Sequence, residues 1–395
     1  MTYNFDQVIS RKGTNSLKYD FAERRGKPKD ILPMWVADMD FKVPEMISKR
    51  LVELGEHGIF GYSDTKEQYF NAVANWMKNY HNWNVEEEWL VKMPGVVFAI
   101  AMAIKALTEE GDAVLIQQPV YYPFSELVLN NNRRLISNNL IYTDEKYTID
   151  FQDFECKILQ EKVKLFILCN PHNPVGRVWR REELIRLGDI CLKHHVIVVS
   201  DEIHQDFIYN GYKHEVFMNL KQGYEDITIT CTAPSKTFNL AGLQISNIFI
   251  SNQEIRRKIK REMSKAGYSQ LNIAGMVACE AAYMEGREWL EQLNEYLTAN
   301  LNYLRDFLTT YMPHIKLIEP EGAYLVWIDF RGLGLSEHER QELIIKKANL
   351  WLDTGTMFGD GGEGFERINI ACPRSVLKQA LEQLLMSINT LNKYK

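Results

Sequence analysis

Through the middle of this 395-residue chain, short unbroken apolar runs alternate with stretches in which apolar residues recur every three or four positions. The runs lie at 113–117 (AVLIQ), 164–169 (KLFILC), 196–200 (VIVVS), 227–232 (ITITCT) and 246–251 (SNIFIS). A strand apolar at nearly every position is covered on both faces. The helical patterns between the runs, among them 98–108 and 181–194, supply the cover. The expected class is α/β, a mostly parallel sheet between layers of helix. Two amphipathic helices precede the sheet, Pro44 to Gly55 and Lys66 to Tyr80, with a turn at GYSD (61–64) between them. Pro44 is placed to open the first of these. Beyond the sheet, 286–311 reads as one long amphipathic helix. YLVWIDF (324–330) and RINIAC (367–372) then read as strands, and Glu339 to Trp351 and Ser375 to Asn389 as helices. These patterns divide the chain into a large domain over 46–285 and a smaller α+β domain made of 286–395 and 1–45.

Composition narrows the function. Hydrophobic residues at 46% and charged residues at 25% describe a globular chain able to bury a large core, which excludes disorder as the main state. A net charge of −6 gives no general attraction to nucleic acid or to anionic membrane. The first residues, MTYNFDQVIS, have neither the basic nor the apolar region of a secretory signal. No run is long enough to span a bilayer. The expected location is the cytoplasm. The six cysteines (156, 169, 191, 231, 279 and 372) form no CxxC pair and read as buried free thiols. No metal-ligand spacing is present, and His194-His195 reads as a helix C-terminal pair favoured by the dipole. GDGGEG (359–364) is not a phosphate loop, because Asp360 and Glu363 would repel the anion; a flexible loop near the site entrance is expected instead. No GxGxxG opens a helix after the first strand, which argues against a nicotinamide dehydrogenase.

Open α/β sheets bind ligands outside the carboxyl ends of their strands. After LFILC comes Asn170-Pro171-His172-Asn173-Pro174-Val175-Gly176, a loop stiffened by two prolines. After VIVVS comes Asp201-Glu202-Ile203-His204, and after TITCT comes Ala233-Pro234-Ser235-Lys236-Thr237. Alone, these are a rigid turn, a helix cap and a solvated lysine. Together, their order and spacing resemble the fold-type I pyridoxal-phosphate enzymes, the aspartate-aminotransferase superfamily, over nearly the whole chain.

The resemblance implies a seven-stranded sheet covered by helices, a smaller α+β domain, and pyridoxal 5′-phosphate as cofactor. It makes Lys236 the catalytic amine, which forms a Schiff base with the cofactor aldehyde and takes a proton from the substrate. Asp201 then keeps the ring nitrogen protonated, since an opposite charge favours the charged form. Asn173 supplies a donor to the ring's phenolic oxygen. His204 lies in the same neighbourhood, where many relatives carry tyrosine. Tyr121, in QQPVYYPF, stacks on the ring. Gly95, Val96 and Val97 open a helix at the phosphate, and Ser235 adds a hydroxyl. Tyr62 reaches the phosphate from a neighbouring subunit, which implies a homodimer with shared active sites. Arg374, in RINIACPR, holds the carboxylate of a small amino-acid substrate. In one departure, Gln244 stands where many aminotransferases carry a phosphate-binding arginine.

Within the superfamily, LPMWVADMDF, FGYSD, DEIHQDF, APSKTFNLAGLQ and INIACPR resemble the MalY/PatB-type cystathionine β-lyases, or C–S lyases. The implied reaction is α,β-elimination from cystathionine or another S-substituted cysteine, giving a thiol, pyruvate and ammonia. The alternative is an aminotransferase acting on an amino acid and a 2-keto acid, with the same lysine, aspartate and arginine. A third reading, a cofactor-binding regulator acting through protein contacts, has no positive feature in its favour. No helix-turn-helix precedes the α/β region and no basic stripe is visible.

Overall fold

In the computed structural model, which describes residues 2–391, seven strands form the central sheet. Their spatial order is Leu90–Met93, Ser246–Phe249, Thr228–Thr232, Ile197–Asp201, Leu165–Cys169, Ala113–Ile116, Arg134–Ser137. From Thr228–Thr232 to Arg134–Ser137 every pairing is parallel, whereas Ser246–Phe249 is antiparallel to both its neighbours. Side chains alternate across the sheet as the strand period of two requires. Val114, Ile116, Leu165 and Ile167 pack on one face with Ile100, Val128 and Ile259 of the helices there. Leu115, Phe166 and Leu168 pack on the other face with Phe154 and Leu187. Both faces are dry, which is why these strands read as continuous apolar runs.

A second, antiparallel sheet has the order Lys316–Leu317, Leu325–Asp329, Phe365–Asn369, Asp353–Thr354. The long helix Arg287–Tyr311 and the last helix Arg374–Leu391 bury Leu297, Leu301, Leu377 and Leu381 in one cluster with Ile368 and Ile370 from this region. The N-terminal segment joins here too, because Leu32–Pro33 pairs in parallel with Leu350–Trp351.

That pairing corrects one expected element. The pattern from Glu339 to Trp351 is not one helix. An α-helix covers Glu337–Gln341, a π-helical turn follows over Glu342–Lys347, and Asn349 adopts a left-handed φ of 49°. Asparagine tolerates that conformation and so ends the helix. Leu350 and Trp351 leave as a strand, and Trp351 stacks on Trp35 with ring centroids 4.5 Å apart. The strand expected over 367–372 runs over Phe365–Asn369. His194 does follow the last turn of Arg181–Lys193, and its ring bonds Glu155 at 2.9 Å. Among the described residues Cys156 is exposed, contrary to expectation, while the other five cysteines are buried, and all six are free thiols.

The glycine-rich turn at 359–364 packs on the loop after Ala113–Ile116. Val120 N–H donates to the Phe358 carbonyl at 3.0 Å. Gly359 has φ +89°, a conformation strained for other residues, and a Cβ there would lie 1.9 Å from the Gln118 amide nitrogen, which would have to shift. Among the described residues no helix is long and apolar enough to cross a membrane.

Candidate active site

At the carboxyl ends of the central strands lies a cavity of about 180 Å³. Gly95, Val96, Val97, Tyr121, Asn173, Asp201, His204, Ser235 and Lys236 all line it, as does Gln244. Lys236 sits on a single helical turn, Pro234–Thr237, begun by the proline. Its Nζ donates to the Ala37 carbonyl at 2.8 Å. Burial pushes its pKa down to about 8; Arg367 adds to the fall, and Asp38 and Asp201 oppose it. A lysine so placed has a usable neutral fraction near neutral pH.

Asp201 ends the strand Ile197–Asp201, and one carboxylate oxygen accepts from Ile203 N–H at 3.1 Å. The other bonds to no described residue. Burial pushes this carboxyl up to about 7, against the Ile203 hydrogen bond and the Lys236 charge. A cation placed beside it would restore the ionised form. Asn173 Oδ1 accepts from Arg367 Nη1 at 2.9 Å. A guanidinium only donates, so the oxygen is fixed toward Arg367 and the amide NH₂ is left as a donor. His204 stands edge-on to Tyr324 at 5.9 Å. Burial, with Lys236 and Arg367 close by, pushes its pKa down to about 3, so the ring is neutral. Gly95 caps the helix Val96–Leu107 without a side-chain bond. The first N–H groups of that helix have no partner within it and make an anion site, with the Ser235 hydroxyl on the same cavity.

These donors fit pyridoxal 5′-phosphate: a helix N-terminus for the phosphate, an amide for the phenolic oxygen, a buried carboxylate for the ring nitrogen, and an amine for the aldehyde. The sequence matches the family described as aminotransferase class I and II over residues 29–384. The chain belongs to the class I and II aminotransferase family. It is 45% identical over 386 residues to the cystathionine beta-lyase PatB of Bacillus subtilis, spanning 98% of this chain and 100% of that one. Cystalysin from Treponema denticola, whose crystal structure contains a pyridoxal 5′-phosphate cofactor, superposes with a TM-score of 0.96 at 40% identity, over 99% of this chain and 100% of that one. The pyridoxal-phosphate-bound C-S lyase of Staphylococcus hominis superposes with a TM-score of 0.92 at 35% identity, over 98% of each chain.

Two of the expected site residues, Tyr62 and Arg374, do not line this cavity. Tyr62, expected to reach the site of a second copy, is 99% exposed on its own chain. Arg374 begins the last helix; its Nε donates to Asn300 Oδ1 at 2.7 Å and its guanidinium lies 4.9 Å from the Tyr303 ring centroid. It does not line the cavity. An arginine that bonds a residue of the cavity lining is Arg367, in the middle of the strand Phe365–Asn369 and 2% exposed. It bonds Asn173, the Trp35 carbonyl at 3.1 Å, and Asp353, which faces it directly on the neighbouring strand. A charged side chain inside an otherwise buried strand was the signal available in the sequence.

Sequence reasoning also missed how residues 35–41 are held. This segment passes over the site as a strap gripped through its carbonyls. Arg367 takes Trp35, Asn369 takes Val36 and Asp38, Lys236 and Tyr324 take Ala37, and Asn239 takes Met39 and Phe41. Bonds to carbonyls leave no mark on the strap's own side-chain pattern.

Proposed function

We propose that this chain is a pyridoxal-phosphate-dependent C–S β-lyase. It cleaves cystathionine or another S-substituted cysteine to a thiol, pyruvate and ammonia. The observation that carries this reading is full-length similarity to a named cystathionine β-lyase, together with Lys236, Asp201 and Asn173 meeting on one cavity. Pyridoxal 5′-phosphate, when bound, supplies the electron sink that makes the substrate's Cα–H acidic. The chain's residues do the rest. Val96 and Val97 N–H groups and the Ser235 hydroxyl would hold the phosphate, and Tyr121 would flank the ring. The Asn173 amide donates to the phenolic oxygen, and Asp201 keeps a proton on the ring nitrogen. Lys236, held near neutrality by burial, takes the Cα proton. Arg367, already oriented by Asp353 and Asn173, receives the substrate carboxylate. His204 stays neutral beside the ring.

The proposal includes a homodimer with shared sites. Val52, Ile59, Phe60 and Tyr62 form an exposed apolar stretch on one segment, suited to burial against a second copy. It also keeps the division at 46–285 and places the protein in the cytoplasm, where five buried thiols stay reduced.

The test is pyruvate production from L-cystathionine with no keto acid present. Sustained pyruvate from a protein absorbing in the aldimine region supports the lyase. Turnover only when a keto acid is added makes it an aminotransferase.

A further inference from the structure

Beneath Lys236 lies a buried carboxylate that the proposed chemistry does not use. Asp206, with its side chain 2% exposed, accepts three hydrogen bonds through its carboxylate and one through its backbone carbonyl. Oδ1 accepts from Trp76 Nε1 at 3.1 Å and from His81 Nε2 at 2.9 Å, both on the helix Glu67–His81. Oδ2 accepts from Thr237 Oγ1 at 2.6 Å. The Asp206 carbonyl accepts from Asn294 Nδ2 at 3.0 Å, on the long helix Arg287–Tyr311. Thr237 is fully buried and directly follows Lys236.

The turn that carries Lys236 has only four residues. It has no helical length with which to fix its own direction. Successive helical residues point about 100° apart, so Thr237 faces Asp206 while Lys236 faces the cavity. Asp206 is not among the charges that shift the Lys236 amine; those are Asp38, Arg367 and Asp201. Its influence on the lysine is therefore one of place.

We propose that Asp206 and Thr237 are a positioning pair for Lys236, tying the lysine turn to the helices Glu67–His81 and Arg287–Tyr311. This rests on Lys236 being the cofactor-linked lysine. The pair acts through one hydroxyl, which separates it from simple packing.

The test compares Thr237→Val, which keeps the shape and removes the hydroxyl, with Thr237→Ser, which keeps the hydroxyl and removes a methyl. Each enzyme is stripped of cofactor and reloaded with pyridoxal 5′-phosphate. The rate at which the lysine linkage absorbance appears is followed, and kcat and KM for L-cystathionine are then measured. In Thr237→Val both the linkage rate and kcat fall about tenfold with KM within about twofold, as expected for a misplaced reacting group. Thr237→Ser stays within about threefold of the parent. Unchanged rates in Thr237→Val with only a lower melting temperature would overturn the proposal, as would equal losses in both variants. Lys236→Ala is the control: a linkage that still forms there overturns the lysine assignment itself.

Discussion

Asp201 ends a central strand, Asp206 lies in the turn five residues beyond it, and the surroundings of these two buried carboxylates drive them in opposite directions. Asp201 has one backbone donor, and burial pushes its carboxyl up to about 7. Asp206 is equally enclosed, but His81, Thr237 and Trp76 donate to it and together hold its pKa below the usual value in spite of burial. Burial alone does not determine what a carboxylate does. A satisfied carboxylate is part of the framework, and one with an unused oxygen on a cavity is prepared for a charge that arrives with a ligand. The two roles lie five positions apart, so neither burial nor sequence proximity to the site separates them.

The contrast breaks if the two asparagine variants behave alike. Asp201→Asn should lower kcat by about a hundred- to a thousandfold, because it removes charge stabilisation from the reacting centre. It should leave the melting temperature of the cofactor-free protein unchanged or higher, since an unpaired buried charge is removed. Asp206→Asn should instead cost about 2–4 kcal/mol of stability, read by denaturant unfolding, because donors lose their acceptor.

A pair of arginines extends the comparison. Arg367 and Arg374 lie seven positions apart, one buried at the site and one on a helix end. The double variant Arg367→Leu, Asp353→Asn, which leaves no lone buried charge, should raise KM for L-cystathionine about 30- to 100-fold. An unchanged KM would remove Arg367 from substrate binding.

The pH dependence of stability sharpens the contrast through its sign. The Asp201 carboxyl is raised from 3.8 to about 7, so the folded, cofactor-free protein holds that proton more tightly than the unfolded chain. Its contribution is complete below the unfolded value and is lost as pH rises through about 7. Asp206, held below its ordinary value, contributes in the opposite sense: its share is present above 3.8 and is lost as pH falls through the lowered value. Melting curves of the cofactor-free Asp201→Asn protein should lack the decline between acid and neutral pH. The smallest effect is expected from Arg374→Ala, with KM within about twofold and a stability cost of about 1 kcal/mol for the lost Asn300 bond.

The central sheet was legible because strands such as LFILC and TITCT are dry on both faces and therefore apolar throughout. The residues after them were legible because the chemistry demands particular side chains at strand ends. The terminal motif RINIACPR points to Arg374 alone. Burial would have decided the other way, since Arg367 interrupts a strand whose every residue is enclosed. The helix expected to run to Trp351 failed for a different reason. Leu350 and Trp351 answer to a partner strand more than 300 positions earlier, and local periodicity carries no information about so distant a partner.

The strap over residues 35–41 ties the order of synthesis to the order of assembly. Its carbonyls are held by Arg367 and Asn369 at sequence separations of more than 330 residues. Contacts that distant close late, because loop-closure entropy must be overcome first. As the chain leaves the ribosome, the central sheet has all seven strands by residue 249, and Lys236 and Asn239 are present to hold Ala37, Met39 and Phe41, while the bonds to Trp35, Val36 and Asp38 wait for more than a hundred further residues. A nascent chain stalled between those points would have Asp201 and Lys236 but only part of the grip on the strap. The grip on the strap is thus completed only when the last strand arrives.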